Sequence, residues 1–157
     1  MKKNVNLKIT SNQYIEELKP SGEAYRREME LEDTTEIRTE GVIYSRNNAT
    51  YITYLEEESG YDDIRTLFKV QDGSLRIRKY AGSDSDEGMD MTLSPGTLNI
   101  TKYRLPESST LSLEVYTNKL EDSLDEEGYG KVSVDYKIKF DRFFSRRNIL
   151  EIEVMPS

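Results

Sequence analysis

The feature that most constrains the fold of this chain is a repeated alternation of apolar and polar residues with a period of two. Side chains of a β-strand point alternately to opposite faces, so each such run predicts a strand with one apolar and one solvated face. The clearest runs share apolar residues at every second position: Val5, Leu7 and Ile9; Leu75 and Ile77; Leu98 and Ile100; Leu111, Leu113 and Val115; Val132 to Phe140; and Leu150, Ile152 and Val154.

Less regular alternation predicts further strands, and short turn-forming segments separate the strands. The less regular runs lie at 24–32, 36–45, 50–57, 63–70 and 89–93. The turns include Asn47-Asn48, Pro95-Gly96 and Asp72-Gly73, which is a typical hairpin dipeptide. Connections this short leave no room for crossover helices, so we expect antiparallel neighbours. The pattern predicts an all-β single domain over residues 1–157, either an up-and-down barrel or a sandwich.

Two segments do not follow the alternation. Residues 11–23 contain Pro20-Ser21-Gly22 and are predicted to form a short helical turn or a loop. Residues 81–88 are small and acidic, and they are predicted to form a flexible solvated loop rather than a calcium site.

The composition excludes several kinds of chemistry, because the chain of 157 residues contains no His, no Cys and no Trp. Catalytic triads that use His, Cys/His zinc sites, disulfides and iron–sulfur clusters cannot be built from it. No glycine-rich phosphate-binding motif is present. The acidic run Glu121–Glu127 is typical of a hydrated turn that protects a strand edge. We therefore predict no catalytic residue, no metal and no cofactor, and we favour a protein that is not an enzyme.

The charge balance restricts the partners of the chain. There are 30 Asp and Glu against 22 Lys and Arg, which gives a formal net charge of −8. Nucleic acid and anionic membrane surfaces attract basic proteins, so neither is an expected partner. No window approaches the roughly 20 apolar residues of a membrane span. A cytoplasmic location is the resulting expectation, whereas the oligomeric state is not predicted.

The 11 tyrosines suggest a binding site inside a barrel. Tyr44, Tyr51, Tyr54 and Tyr136 lie in predicted strands, and Arg78 lies in the strand after the Asp-Gly turn. A small barrel lined by these residues could hold one compact amphipathic ligand. The alternative is that tyrosine fills a core that is poor in Leu and Phe.

A second functional hypothesis is a non-catalytic protein-interaction module. Phe143 and Phe144 stand between arginines just before the last predicted strand, where they could form a contact surface. An exposed sheet edge could serve the same purpose. The arginines of this region, and Arg76 and Arg78 in an earlier strand, are otherwise expected to form cross-strand ion pairs.

The order of several short motifs resembles that of the YwiB-like proteins, a family of small uncharacterised bacterial proteins with a domain of unknown function. These motifs are Thr39-Glu40-Gly41, Tyr51–Glu57, Leu67–Val70 with Leu75–Arg78, Val115–Thr117, Leu124–Gly128 and a final strand after Arg147-Asn148. The resemblance spans about 36–154, and the sequence departs from the family pattern after Arg78. It implies a calycin-like, lipocalin-type antiparallel up-and-down barrel of about 8–10 strands, and it implies no activity.

Overall fold

A computed structural model of the chain describes residues 2–56, 64–81, 84–104, 110–139 and 144–157. These residues contain ten strands and no helix. The strands are β1 (Lys2–Ser21), β2 (Ala24–Arg46), β3 (Ala49–Glu56), β4 (Ile64–Gln71), β5 (Ser74–Ala81), β6 (Asp84–Leu93), β7 (Leu98–Arg104), β8 (Thr110–Asp122), β9 (Gly130–Lys139) and β10 (Phe144–Pro156).

The strands form one closed antiparallel sheet in which each strand pairs with its neighbours in the sequence. β10 pairs with β1, for example Ile152 with Ile9, and this pairing closes the sheet. The predicted all-β, antiparallel up-and-down barrel is therefore confirmed. Where a strand pairs with a neighbour on each side, its main-chain N–H and C=O groups all find hydrogen-bond partners in those neighbours.

The inner face of the barrel is filled mainly by the apolar residues of the alternating pattern, whereas Leu98 and Ile100 of that pattern lie on the exposed side of β7. Its fully buried side chains come from strands on all sides of the barrel: Val5, Leu7, Ile52, Leu75, Leu93, Val115, Val132, Val134, Ile152 and Val154. Phe68, Ile77 and Met91 pack into the same cluster. Because one face of each strand is buried in this way, the register of the whole sheet is specified, since a slip of one residue would turn the apolar face to water.

Two hairpins have the turn geometry that their sequences predict. Asn47 and Asn48 have φ of 52° and 62°, and Asp72 and Gly73 have φ of 48° and 73°. Two successive residues with positive φ are the signature of a type I′ turn, whose twist matches that of the flanking strands. Asn, Asp and Gly tolerate this conformation best, which explains why these dipeptides end their strands.

Two local predictions are wrong. Residues 11–23 do not form a helical turn or a loop: β1 continues to Ser21, and a turn follows at 22–23. Pairing along β2 keeps this segment extended, which local propensity alone does not indicate. Residues 81–88 are not simply a loop either, because β6 begins at Asp84 and pairs with β5. Residues 82 and 83 lie outside the described residues.

The predicted strands at 24–32 and 36–45 are one long strand, β2. Its pairing with β1 runs from Tyr44 opposite Lys2 to Ala24 opposite Ser21. Gln13 faces Asp33 and Tyr14 faces Leu31, so Glu32 is an extra residue and forms a β-bulge. The bulge keeps the two halves of β2 in one strand while it changes which residues face outward.

Strand β2 is paired along its whole length on one side only. In the described part of the chain, its pairing with β3 is confined to Val42–Arg46. Residues 24–36 are exposed except for the half-buried Glu28. The β1–β2 hairpin therefore extends beyond its pairing with β3, and within the described ranges its second edge is free over a long stretch.

Gly41 lies at the point where β2 and β3 separate. A Cβ atom at this position would lie 2.5 Å from Leu7 Cδ1 and 2.8 Å from the carbonyl oxygen of Thr53. Both distances are shorter than a carbon atom tolerates, and the second involves backbone that cannot move aside. The close approach of three strands therefore requires glycine here.

We predict that Gly41→Ala lowers the free energy of unfolding by about 1–3 kcal/mol, the usual cost of forcing an extra carbon into a packed site. Thr39→Ala, two residues away on the same face of β2, is the control and should change it by less. Urea denaturation of both variants measures the difference. Equal stabilities of the Gly41 variant and the original chain would contradict the packing described here.

Candidate functional site

Two of the five residues predicted to line the barrel interior do face inward. Tyr54 is buried, and its ring centroid lies 6.1 Å from that of Phe68. Tyr136 is also buried, directly opposite Asn148 in the adjacent strand. Both rings are packed among core side chains, and their role in binding a ligand stays a prediction.

The interior position predicted for Tyr44 and Tyr51 is wrong. Ile43 and Ile52 are buried and occupy the inner face, so the residues that follow and precede them point outward. Tyr44 and Tyr51 face each other across β2 and β3 with their rings stacked, 4.9 Å between centroids. The ammonium group of Lys2 lies 5.3 Å from the Tyr44 ring. The pair is thus a cross-strand stack on the outer surface.

Arg78 also lies on the outer face rather than in the interior. Ile77 is buried beside it, so alternation directs both Arg76 and Arg78 outward. Arg76 binds Asp90 through two hydrogen bonds of 2.9 and 2.6 Å, and Arg78 Nε lies 3.8 Å from the same carboxylate. The hydrogen bonds from Arg76 lower the pKa of Asp90. Arg78 therefore takes part in a surface ion-pair group.

The predicted contact surface at Phe143 and Phe144 falls on residues of which little is described. Phe143 lies outside the described residues, and Phe144 begins β10 but its side chain is not described. Arg147, from the same region, forms the expected cross-strand ion pair: its Nε donates to Asp135 Oδ1 at 2.8 Å. Although partial burial opposes it, this pairing lowers the pKa of Asp135.

The most distinctive surface of the described residues is the β2 edge segment, which we define as residues 24–31. On its outer face, Tyr25, Met29 and Leu31 are 62%, 49% and 54% exposed. Arg27 lies between Tyr25 and Met29 in the same row. The other face carries Arg26, Glu28 and Glu30 in alternate positions. This segment therefore has a mainly apolar row, a charged row and an edge that pairs with no strand of the described ranges.

A buried carboxylate fixes the outer face of this segment to the barrel. Glu16 of β1 is only 7% exposed, and its carboxylate forms an ion pair with Arg27, whose Nε lies 2.9 Å from Oε1. Arg147 Nη1 lies 3.6 Å from the sulfur of Met29. These contacts connect the hairpin to β10, so the segment is held in place beyond the end of β3.

The charged row of the segment is also organised by partners within the chain. Lys19 Nζ lies 2.9 Å from Glu28, and Arg26 forms an ion pair with the same carboxylate. Hydrogen bonds from Lys19 and from Arg26 lower the pKa of Glu28. The negative charge of Glu28 is thus compensated by the positive charges of Lys19 and Arg26.

A groove opens where β2 and β3 separate. It has a volume of about 530 Å³. Its lining residues come from both strands and from β4: Thr39, Glu40, Gly41, Val42, Thr53, Tyr54, Leu55 and Arg65. Tyr54 belongs to the inner face and Leu55 to the outer face, so the groove passes into the wall of the barrel. At the side of the groove, Arg65 Nη1 donates a hydrogen bond of 3.5 Å to Thr53 Oγ1.

Sequence reasoning did not identify the β2 edge segment as a site. The alternation of Tyr25, Met29 and Leu31 is sufficient to predict a strand, but it does not show that this strand lacks a neighbour on one side. The exposure of these residues follows from the different lengths of β2 and β3, which are a property of the assembled sheet.

Neither a metal cluster nor a membrane helix appears in the described residues. In the ranges that the structure describes, no three acidic side chains gather closely enough to hold a metal ion. The same ranges contain no helix of the length and hydrophobicity that crossing a bilayer requires.

The described residues define a small antiparallel β-barrel with a largely apolar interior and, on β2, an edge that none of these residues pairs with over 24–41. Residues 22–152 match the family model described as Domain of unknown function (DUF1934), and the chain therefore belongs to this family. The "Uncharacterized beta-barrel protein YwiB" of Bacillus subtilis (strain 168) is 28% identical over 105 residues, 67% of this chain and 69% of that protein.

A solved structure supports the fold independently. The crystal structure of the ywiB protein from Bacillus subtilis superposes with a TM-score of 0.64 over 96% of this chain and 92% of the other. The identity over this superposition is 20%, so it supports the fold and carries no residue roles. The resemblance to the YwiB-like family is thus confirmed.

We predict that the buried Tyr136 makes folding sensitive to alkaline pH. Burial raises the pKa of its hydroxyl to about 12, against a hydrogen bond from Asn148 that acts in the opposite direction. An unfolded tyrosine titrates near about pH 10. Because the folded state keeps a proton that the unfolded state releases, stability falls as the pH rises from 10 towards 12.

The measurement is the free energy of unfolding at pH 9 and pH 11 by urea denaturation. The original chain should lose about 1 kcal/mol more over this interval than Tyr136→Phe does. Tyr25→Phe, at an exposed position, should behave like the original chain. Parallel pH profiles for the Tyr136→Phe variant and the original chain would contradict the prediction.

Proposed function

We propose that this protein is a non-catalytic interaction module that binds a protein partner through the β2 edge segment. The observation that carries the proposal is the pairing of β2. One side of β2 pairs regularly with β1, whereas its other side, over residues 24–41, pairs with no strand in the described part of the chain. An edge of this kind presents main-chain N–H and C=O groups at regular intervals, and an added strand can bind them.

The apolar side chains of the segment support partner binding, while its charged row is of the kind that protects an edge. Proteins usually blunt an exposed edge with charges, prolines or very short strands. Here the outer row contains Tyr25, Met29 and Leu31, all large and exposed. Tyrosine and methionine are enriched in protein interfaces, where they supply contact area that a solvated surface does not need.

The organisation of the hairpin supports the same proposal. The ion pair between Glu16 and Arg27 and the contact of Arg147 with Met29 hold the segment in an extended conformation before any partner arrives. A preordered strand loses little conformational entropy on binding. The filled inner face, in turn, gives little support to a ligand site at the centre of the barrel.

Photo-crosslinking in living cells tests the proposal. A photoreactive phenylalanine analogue replaces Tyr25 in the β2 edge segment, and in a control variant it replaces Glu114, an exposed residue of β8 that pairs with both β7 and β9. We expect covalent adducts with protein from position 25 and at least about five times fewer from position 114, because residue 114 lies between two paired strands.

Mass spectrometry of the adducts identifies what is captured. Adducts of equal yield at both positions, or none at position 25, would show that the edge has no protein partner and would refute the proposal. A substitution Met29→Lys in the same background should reduce the yield at position 25, because it places a charge within the apolar row.

The groove between β2 and β3 favours a second candidate function, the binding of a small amphipathic ligand. Its volume of about 530 Å³ is within the usual range of ligand sites, about 300–1,000 Å³. Tyr54 and Leu55 offer an aromatic and an aliphatic surface, and Arg65 offers a positive charge at the side. An amphipathic anion is the ligand chemistry that these residues would suit.

The fluorescent anion 1-anilinonaphthalene-8-sulfonate is a suitable probe. We expect saturable binding that Leu55→Asp removes, because the new carboxylate would oppose both the apolar and the anionic part of the probe. Leu98→Asp, at another exposed leucine, is the control and should leave binding unchanged. The absence of saturable binding, or an equal loss in both variants, would rule out this second candidate.

A further inference from the structure

We infer that the partner of the β2 edge segment is a second copy of this chain, bound by antiparallel pairing of the two segments about a two-fold axis. The inference rests on the proposed function and adds the identity of the partner and the register. Its central observation is that residues at equal distances from Glu28 complement each other: Arg26 and Glu30 carry opposite charges, and Tyr25 and Leu31 are both large and apolar.

Only some registers are possible between two copies of one edge strand. The main-chain groups of alternate residues point away from β1, so residues of the same parity must face each other. Such a pair of strands is symmetric about one residue. With Glu28 on the axis, Arg26 of each copy faces Glu30 of the other, while Tyr25 faces Leu31 and Arg27 faces Met29.

This register gives favourable pairs on both faces of the new sheet. On one face, two Arg26–Glu30 pairs bring opposite charges directly across from each other, the arrangement that stabilises neighbouring strands. On the other face, two Tyr25–Leu31 pairs cover exposed apolar surface. The apolar surface of Met29 meets the aliphatic part of Arg27, whose charged end is already bound to Glu16.

The one unfavourable contact of this register is compensated within each copy. Glu28 faces its own counterpart on the axis, and two carboxylates would repel each other. Each carboxylate, however, is already paired with Lys19 at 2.9 Å and with Arg26. The Arg26 side chain also lies diagonal to Glu28 of the other copy, within reach of a long side chain.

The ends of the segment delimit the paired region. The turn at 22–23 ends the strand on one side, and the bulge at Glu32 breaks its regular alternation on the other. The run from Tyr25 to Leu31 lies between these two points, and Glu28 is at its centre. The symmetric register therefore uses the regular part of the edge and stops where the bulge begins.

Cysteine crosslinking tests the register directly, because the chain contains no cysteine of its own. Residues on the axis of an antiparallel pair have Cα atoms about 4.5–5.5 Å apart, which suits a disulfide. Glu28→Cys should form a covalent dimer under mild oxidation. Glu36→Cys, exposed on the same strand but outside the paired region, should crosslink at least about ten times more slowly.

Charge exchange tests the same contact without oxidation. Arg26→Glu alone and Glu30→Arg alone each replace two attractive pairs by two repulsive ones, and each should raise the dissociation constant of the dimer about 10-fold or more. An equimolar mixture of the two variants restores opposite charges at both positions, so it should form a heterodimer as stable as the original dimer. Sedimentation equilibrium measures all three samples.

Arg38→Glu is the matched control for Arg26→Glu. Both arginines lie on β2, have side chains that are 69% exposed, and pair with a glutamate two positions away. Arg38 lies outside the paired region, so its replacement should leave the dissociation constant unchanged. A loss of dimer in the control equal to that in Arg26→Glu would overturn the inference.

The outcomes separate this inference from the proposed function. A chain that stays monomeric at millimolar concentration, or a Glu28→Cys variant that crosslinks no faster than Glu36→Cys, would overturn the inference. If position 25 then still yields adducts with another protein, the interaction module stands with a different partner. If it yields no adducts, both proposals fail.

Discussion

The length of the β1–β2 hairpin is the constraint on which the rest of this structure depends. β2 pairs with β1 from Ala24 to Tyr44, but it pairs with β3 only over Val42–Arg46 in the described residues. The short pairing is sufficient to close the barrel and to bury the inner face. Among the described residues, no strand pairs with the second side of the remaining length, so the free edge and the groove at Gly41 both follow from one difference in strand length.

Closure of the barrel also decides which side chains are available for function. The inner positions of most strands are occupied by Val, Leu, Ile and a few aromatic residues, with buried threonines at 66, 101 and 117. Tyr54 and Tyr136 are part of this packing. The polar and aromatic residues at the alternate, outward-facing positions form ion pairs and ring stacks on the outer surface, such as the stack of Tyr44 with Tyr51. The polar and aromatic side chains available to a partner are therefore on the outer surface, and we propose that binding takes place at the β2 edge segment.

The sequence is informative about strands and turns. It is much less informative about which of the two faces of a strand points into the barrel. Alternation predicts antiparallel strands in a barrel or a sandwich, and the Asp72-Gly73 and Asn47-Asn48 dipeptides predict their turns, because these are local effects. The choice of the barrel rests on the family resemblance. The prediction for Tyr44, Tyr51 and Arg78 is wrong because neighbouring apolar residues such as Ile43 and Ile52 compete for the inner positions. The free edge could not be predicted, since it depends on where β3 ends relative to β2.

Amide hydrogen exchange of residues 24–31 tests the free edge most directly. In dilute protein, the amides bonded to β1 should exchange slowly and the alternate amides, which point away from β1, should exchange rapidly. Raising the protein concentration should slow the second set, because the added strand binds those groups. Uniformly slow exchange in dilute protein would show that the edge is already covered, and uniformly rapid exchange would show that the hairpin is not formed; either result would contradict the account.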